Sequence, residues 1–370
     1  MLYRRHFLAG LAGLAASPVL PAWGARAEST GSILSTVTHG ADRFAVAGFE
    51  PSGRVRFALA LPSRGHGLAV RPGTTEAVVV ARRPGTYLMV IDVEAGRVVG
   101  TAANAEGRHF NGHGIHAADG RTFFASETEI ESGAGLLGIY DADAGYRRLG
   151  EMPSGGLDPH DIRLIDGGRT LVVANGGVMT HPDAPKTMLN LDTMDPTLAY
   201  LDAASGKIRA VVHQSPTRRR LGIRHLAVGA DDSIAVAMQY VGPAGDAVSL
   251  VALHRAGDSA FRFLDLPAST LSAVRHYCGG AAVDASGTVL GVSCPKGNMF
   301  VFFALEDGRY LGKADVADGC GIAAAPGEGF VLTSGVGGVF SWGPGTAVRS
   351  IPGRFLASGR WDNHALRVVF

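Results

Sequence analysis

Cysteine, charge and long apolar runs are all scarce in this chain. Three cysteines, Cys278, Cys294 and Cys320, stand in 370 residues. Their spacing fits no zinc-binding pattern, and none opens a CxxCH motif, so covalent c-type haem is excluded. Charged residues make up only 18% and are evenly signed, which leaves no basic field to recruit nucleic acid. There is no GxSxG, no HExxH and no phosphate loop, so the common hydrolase and nucleotide-binding signatures are missing. Beyond the N-terminal segment, no stretch keeps an apolar 3.6-residue period over ten positions, which rules out a parallel β/α architecture with crossover helices.

What the chain has in plenty is glycine, 52 residues, with 18 prolines. Many short strands joined by tight turns use these residues; long amphipathic helices do not. Large closed all-β folds take up such lengths as one unit.

The N-terminus reads as a targeting segment. Arg4 and Arg5 precede Phe7 and Leu8, an apolar stretch runs to Leu20, and Ala25-Arg26-Ala27 offers a small-x-small cleavage site. Ser17, Pro18, Pro21 and Gly24 interrupt a run already too short to span a bilayer. Residues 1–27 are therefore expected to be a cleaved twin-arginine-type signal peptide, a route that carries folded proteins to the periplasm. Its removal takes away three arginines and no acid, leaving 31 basic against 33 acidic residues.

A phrase recurs along the remainder, 28–370. An apolar strand opened by Gly or His leads through a Gly or Asp turn to a β-branched strand, and then to a third strand ending in Asp. The copies begin near Gly65, Gly112, Pro159, Ile223, Gly279 and Cys320, and His66, His113 and His160 fall 47 residues apart. That interval matches a four-stranded propeller blade. The C-terminal WDNHALRVVF is one strand without its blade, and residues 32–62 hold about three strands without an inner partner. Joining them predicts a single seven-bladed β-propeller closed by pairing of its terminal strands, with no long exposed edge.

Repeat phase places residues on this scaffold. The innermost strand of each blade lines the central channel, so His66, His113, His160, His225 and His364 are expected to converge at one mouth. The fifth and sixth copies carry Gly279-Gly280 and Cys320-Gly321 there and leave room. Imidazoles on rigid strands make a preorganised site for iron, copper or zinc. Glu127, in SETEIESGAG, lies where it could add a carboxylate. Arg108 and His109 in RHFNGHG, with Arg224 in IRHL, are candidates to hold an anion such as a carboxylate or a haem propionate. Residues 178–197 interrupt the third copy like a lid, carrying Met179, His181, Met188 and Met194; its methionines serve better as apolar filler than as ligands. Cys278 and Cys294 flank a hairpin turning at Ala285-Ser286-Gly287 and are candidates for a disulfide.

The strings RHFNGHG at 108–114, GLDPHDIRLIDGGRTLVVANGGVMTHPD at 156–183, LNLDTMDPTLAYLD at 189–202 and IRHLAV at 223–228 resemble the exported bacterial propeller family catalogued as domain of unknown function 1513. The resemblance covers essentially the whole mature chain. It implies a context of iron acquisition, since such proteins are often encoded near imelysin-like, iron-regulated proteins and di-haem peroxidase-like proteins, which stand as potential partners. It supplies no catalytic residues. Three functions follow from these readings: a metal-handling protein of the periplasm, a protein-interaction scaffold without metal, or a metal-dependent enzyme whose lid is the insertion.

Overall fold

A computed structural model describes residues 31–184 and 187–370; the expected signal peptide lies outside them. The described chain forms seven four-stranded antiparallel sheets. Six are continuous in sequence, spanning 65–103, 108–153, 159–213, 221–263, 280–315 and 319–350 as blades one to six. The seventh takes its inner strand, Arg360–Val368, from the C-terminus and its three outer strands, Ser32–His39, Arg43–Phe49 and Val55–Ala60, from the N-terminus. Neighbouring inner strands touch all the way round, so the ring is closed. No helix among the described residues is long and apolar enough to cross a membrane.

Each blade grades outward by residue type. Inner strands such as Gly65–Val70, GHGLAV, are rich in small residues because seven backbones meet at the axis. Second and third strands such as Glu76–Ala81 and Tyr87–Asp92 are almost wholly buried on both faces, and they read as continuous apolar runs. Outermost strands such as Arg97–Ala103 are largely exposed. The aspartate that ends many third strands has a local reason. The Asp92 carboxylate accepts the Ala95 N–H, Asp141 accepts those of Asp143 and Ala144, and Asp202 accepts those of Ala204 and Ser205. Each carboxylate satisfies the turn into the outermost strand.

The hydrophobic core lies between blades. Val78, Val80, Leu88 and Val90 of the first blade pack on Phe110, Phe123 and Tyr140 of the second. Phe302 of the fifth stacks on Trp342 of the sixth, their rings 3.4 Å apart and 4° from parallel. Each fully buried side chain of this kind contributes roughly 1.5–3 kcal/mol, so every blade depends on both neighbours.

At the closure, Ser32 lies opposite Val368 and Val37 opposite Trp361. Trp361 is buried, packs against Phe49 at 5.2 Å and donates its indole N–H to the Leu356 carbonyl. Replacing it with alanine removes the apolar pin of the one blade built from two ends of the chain. Trp361→Ala is expected to cost about 3–5 kcal/mol, read as a lowered urea midpoint with an unchanged m-value. A loss under 1 kcal/mol would mean the closure does not rest on this side chain.

Candidate metal centre

The same irregularity recurs in the inner strands. Opposite one residue of the second strand, blades one and three each insert two residues, His66-Gly67 and His160-Asp161. In blade two three residues, Asn111-Gly112-His113, stand opposite Ser126. In blade four Arg224 is the extra residue just before His225. Blade seven opposes Asp362-Asn363-His364 to Thr36. Such β-bulges turn a side chain that regular pleating would direct into the blade. Glycine serves two of them: Gly112 has φ of +103°, and a Cβ on Gly67 would come within 2.3 Å of the Gly112 carbonyl oxygen. The repeat phase read from the sequence therefore marks a bulge as well as a strand.

The five imidazoles come together. Taken in order His66, His113, His160, His225 and His364 and back to His66, their ring centres are 5.1, 4.5, 4.8, 5.0 and 4.5 Å apart. His113 also reaches across to His364, at 4.6 Å. His66, His113 and His225 are buried, and His160 and His364 keep partial exposure. The layer thus lies within the channel and is not an open rim. Ligand atoms of His66, His113 and His160 all lie within 4.8 Å of one another, as do those of His113, His225 and His364. Either trio could hold a metal ion, and His113 belongs to both.

The room left by blades five and six is filled from the seventh. A Cβ on Gly280 would meet the Asn363 carbonyl oxygen at 3.0 Å, and one on Gly321 the Ala365 nitrogen at 3.1 Å. Glycine in those blades lets the backbone carrying Asp362 and His364 come close, which closes the histidine ring.

Two aspartates face imidazoles of neighbouring blades, one through a hydrogen bond and the other at a longer distance. Asp362 of blade seven accepts from His66 Nδ1 of blade one at 2.9 Å, and Asp161 of blade three lies 3.5 Å from His113 Nδ1 of blade two. A carboxylate on Nδ1 fixes the tautomer and turns the Nε2 lone pair toward the cluster. Asp362 is also held by Arg64, and Asp161 by Arg163 at 3.0 Å and by the Ile162 and Leu226 N–H groups. Burial works to raise the Asp362 carboxyl, yet the bond to His66 and the charges of Arg64 and Arg82 outweigh it and keep it ionised. Burial raises the Asp161 carboxyl.

Burial, followed by the neighbouring imidazoles, pushes His113, His160 and His225 well below the ordinary histidine value; His364 is lowered as far by the same two causes. His66 is lowered by burial against the pull of Asp362. All five are therefore neutral near pH 7, the state in which imidazole is a ligand. His66 Nε2 and His364 Nε2 are 3.2 Å apart. His113 Nε2, His160 Nδ1 and both ring nitrogens of His225 are buried with no hydrogen-bond partner among the described residues. Buried polar atoms are ordinarily paired; a neutral imidazole carries one lone pair, so these three rings offer up to three lone pairs to a group that accepts them.

The other residues singled out from the sequence belong to neither imidazole trio, although Arg224 lies beside His160 and His225. Glu127 is buried in the second blade, accepting from the Tyr140 hydroxyl and from Arg148 at 2.9 Å. Its carboxylate is committed to that blade's own polar network and does not join the imidazoles. Arg108 holds Glu129 at 2.8 Å and Glu151 at 2.9 Å within the same blade. Those acids occupy the charge expected to meet an anion. His109 is buried beside the Phe110 carbonyl, and Arg224 donates to Asp158 at 2.5 Å. In the insertion, Met194 is buried against Gly222 and Met179 packs on Gly133, so both methionines act as filler. Cys278, Cys294 and Cys320 are free and buried. Instead of a disulfide, a hydrogen bond from Cys278, together with burial, raises the Cys294 thiol.

Fold and site together define a seven-bladed propeller with a polyhistidine layer in its channel. The chain belongs to the family described as Protein of unknown function (DUF1513), which it matches over residues 59–368. Among solved structures it is similar to the periplasmic gluconolactonase PpgL of Pseudomonas aeruginosa, with TM-score 0.64, 17% identity, and 92% of this chain and 99% of that one covered. Hydrazine synthase of Kuenenia stuttgartiensis gives TM-score 0.59 at 13% identity over 85% and 96% of the two chains. These likenesses show a shared fold alone. A search of curated proteins returned no match.

Lowered imidazoles set a sign for pH dependence. Above about pH 6.5 folded and unfolded states are both neutral; below it the unfolded chain binds more protons, and stability falls by up to ~1.4 kcal/mol per pH unit for each histidine. The urea midpoint of metal-free protein is expected to drop steeply from pH 7 to pH 5, and His113→Gln with His225→Gln is expected to flatten that slope. An equal slope in both proteins would show that these rings charge freely when folded.

Proposed function

We propose that this protein is a periplasmic metal-handling propeller that binds one first-row transition ion, iron, copper or zinc, on its histidine layer as cargo. One observation carries the reading: five neutral imidazoles converge in one layer, and four ring nitrogens on three of them have no hydrogen-bond partner among the described residues. A cluster kept only for packing would strand those atoms at the cost of buried unsatisfied polar groups. An all-nitrogen donor set suits zinc, copper, iron and nickel. Metal–nitrogen bonds of about 2.0–2.1 Å place tetrahedral ligands roughly 3.3 Å apart. The pair His66 and His364 already stands at 3.2 Å, and the ligand atoms of each trio lie within 4.8 Å of one another. The aspartates on His66 and His113 serve as outer partners, raising ligand basicity. Export and the iron-acquisition context are expectations from the N-terminal segment and the family resemblance, and they agree with a cargo role.

Protein isolated from the periplasm is expected to contain one metal ion per chain by elemental analysis. His113→Ala with His160→Ala disables both trios and should abolish retention with the fold intact by circular dichroism. Asp362→Asn should weaken binding by roughly 10–100-fold. Folded wild-type protein that stays metal-free after exposure to Zn²⁺, Cu²⁺ and Fe²⁺ would overturn the proposal.

A further inference from the structure

At the end of the channel where inner strands begin, the histidine layer is roofed by arginines. Arg64 precedes the inner strand of blade one, and Arg82 and Arg83 follow its second strand, with Gly65 paired to Ala81 between them. Asp158 precedes the inner strand of blade three and takes Arg83 on one oxygen and Arg224 of blade four on the other. Asp362 takes Arg64 and His66, and Arg82 stands back from it at 3.6 Å. Two buried carboxylates are thus shared by four guanidinium groups. Asp318, which is partly exposed, accepts from the Cys320 thiol at 3.6 Å.

The sharing leaves donors over. Arg224 is only 7% exposed, yet its Nε has no hydrogen-bond partner among the described residues. Arg82, whose side chain is 38% exposed, also makes no hydrogen bond through its buried Nη1 among the described residues, and that atom stands 3.6 Å from Asp362. Buried charged donors without acceptors are costly, and a guanidinium's surplus N–H groups match the oxygens of a carboxylate. The layer beneath is neutral, so a divalent ion placed there adds positive charge to a roof that already carries an excess. Both facts ask for the same missing partner, an anionic oxygen donor between the arginines and the imidazoles.

We propose that this roof is an oxyanion site for a carboxylate-type ligand, held by Arg82 and Arg224 over the histidine layer, so that the metal is taken up paired with such an anion. The first half stands without a metal; the coupling rests on the metal-handling reading.

The test separates the two. In full-length mature protein stripped with EDTA, calorimetric titration with citrate and with bicarbonate is expected to show saturable binding of at least one, with chloride inert. Arg82→Gln and Arg224→Gln should each weaken that binding about tenfold or more. Arg82 makes no short contact with Asp362, so its variant keeps the question open to test if Arg224→Gln fails to fold. Zn²⁺ titration with the bound anion present should show about tenfold tighter binding than in chloride alone, with the gain lost in Arg82→Gln. No anion binding by folded wild type, or equal binding by Arg82→Gln, overturns the oxyanion site. Zn²⁺ binding that ignores the anion overturns the coupling and leaves the metal reading standing. Anion binding without any Zn²⁺ binding leaves the oxyanion site standing and removes the metal.

Discussion

A strand at the axis of a propeller must keep its ladder hydrogen bonds to one neighbour while turning a polar ring into a crowded channel. Regular pleating does not meet both demands at these positions, because it would direct the histidine side chain into the blade and not into the channel. The bulges at His66, Asn111–His113, His160, Arg224 and Asp362–His364 resolve the conflict by adding backbone on the channel side alone. Everything at the site depends on this device. It aims the imidazoles, and it sets Asp161 and Asp362 in adjoining positions from which they reach the next blade.

Ring closure and site assembly are consequently one event. The strand Arg360–Val368 pairs with Ser32–His39, and the same strand delivers His364, Asp362 and the backbone that fills the space beside Gly280 and Gly321. The orienting carboxylate of His66 is 296 residues away in sequence. No contiguous part of the chain contains a complete donor set with its outer partners.

Much of the fold was legible in the sequence because propeller blades repeat a local pattern. Gly-His openings, β-branched second strands and Asp turns each answer to a short-range cause, and the unpaired terminal strands forced the closure. The convergence of five histidines followed from phase. What was not legible is what depends on how one blade sits against the next. Asp161 is adjacent to His160 in sequence but orients His113, and Asp362 is two residues from His364 but orients His66. A DPHD or a WDNH string holds the right residues without naming their partners. Glu127 was misplaced for the related reason that its strand position near the channel says nothing of Tyr140 and Arg148 waiting on the outer side. Arg108 and Arg224 were read as candidates to meet an external anion, since the pairing of Arg83 and Arg224 through Asp158 across three blades has no trace in the spacing.

If the layer carries an ion as proposed, the membership of His113 in both histidine trios bears on speed more than on affinity. An ion that needs three or four donors, held among five, always has a spare imidazole within reach. Ligand replacement can then proceed by attack of the spare before the old bond is lost, and no poorly coordinated intermediate has to form. Departure of such an ion would be governed by this internal shuffling, which would make tight holding and quick release compatible in the same pocket.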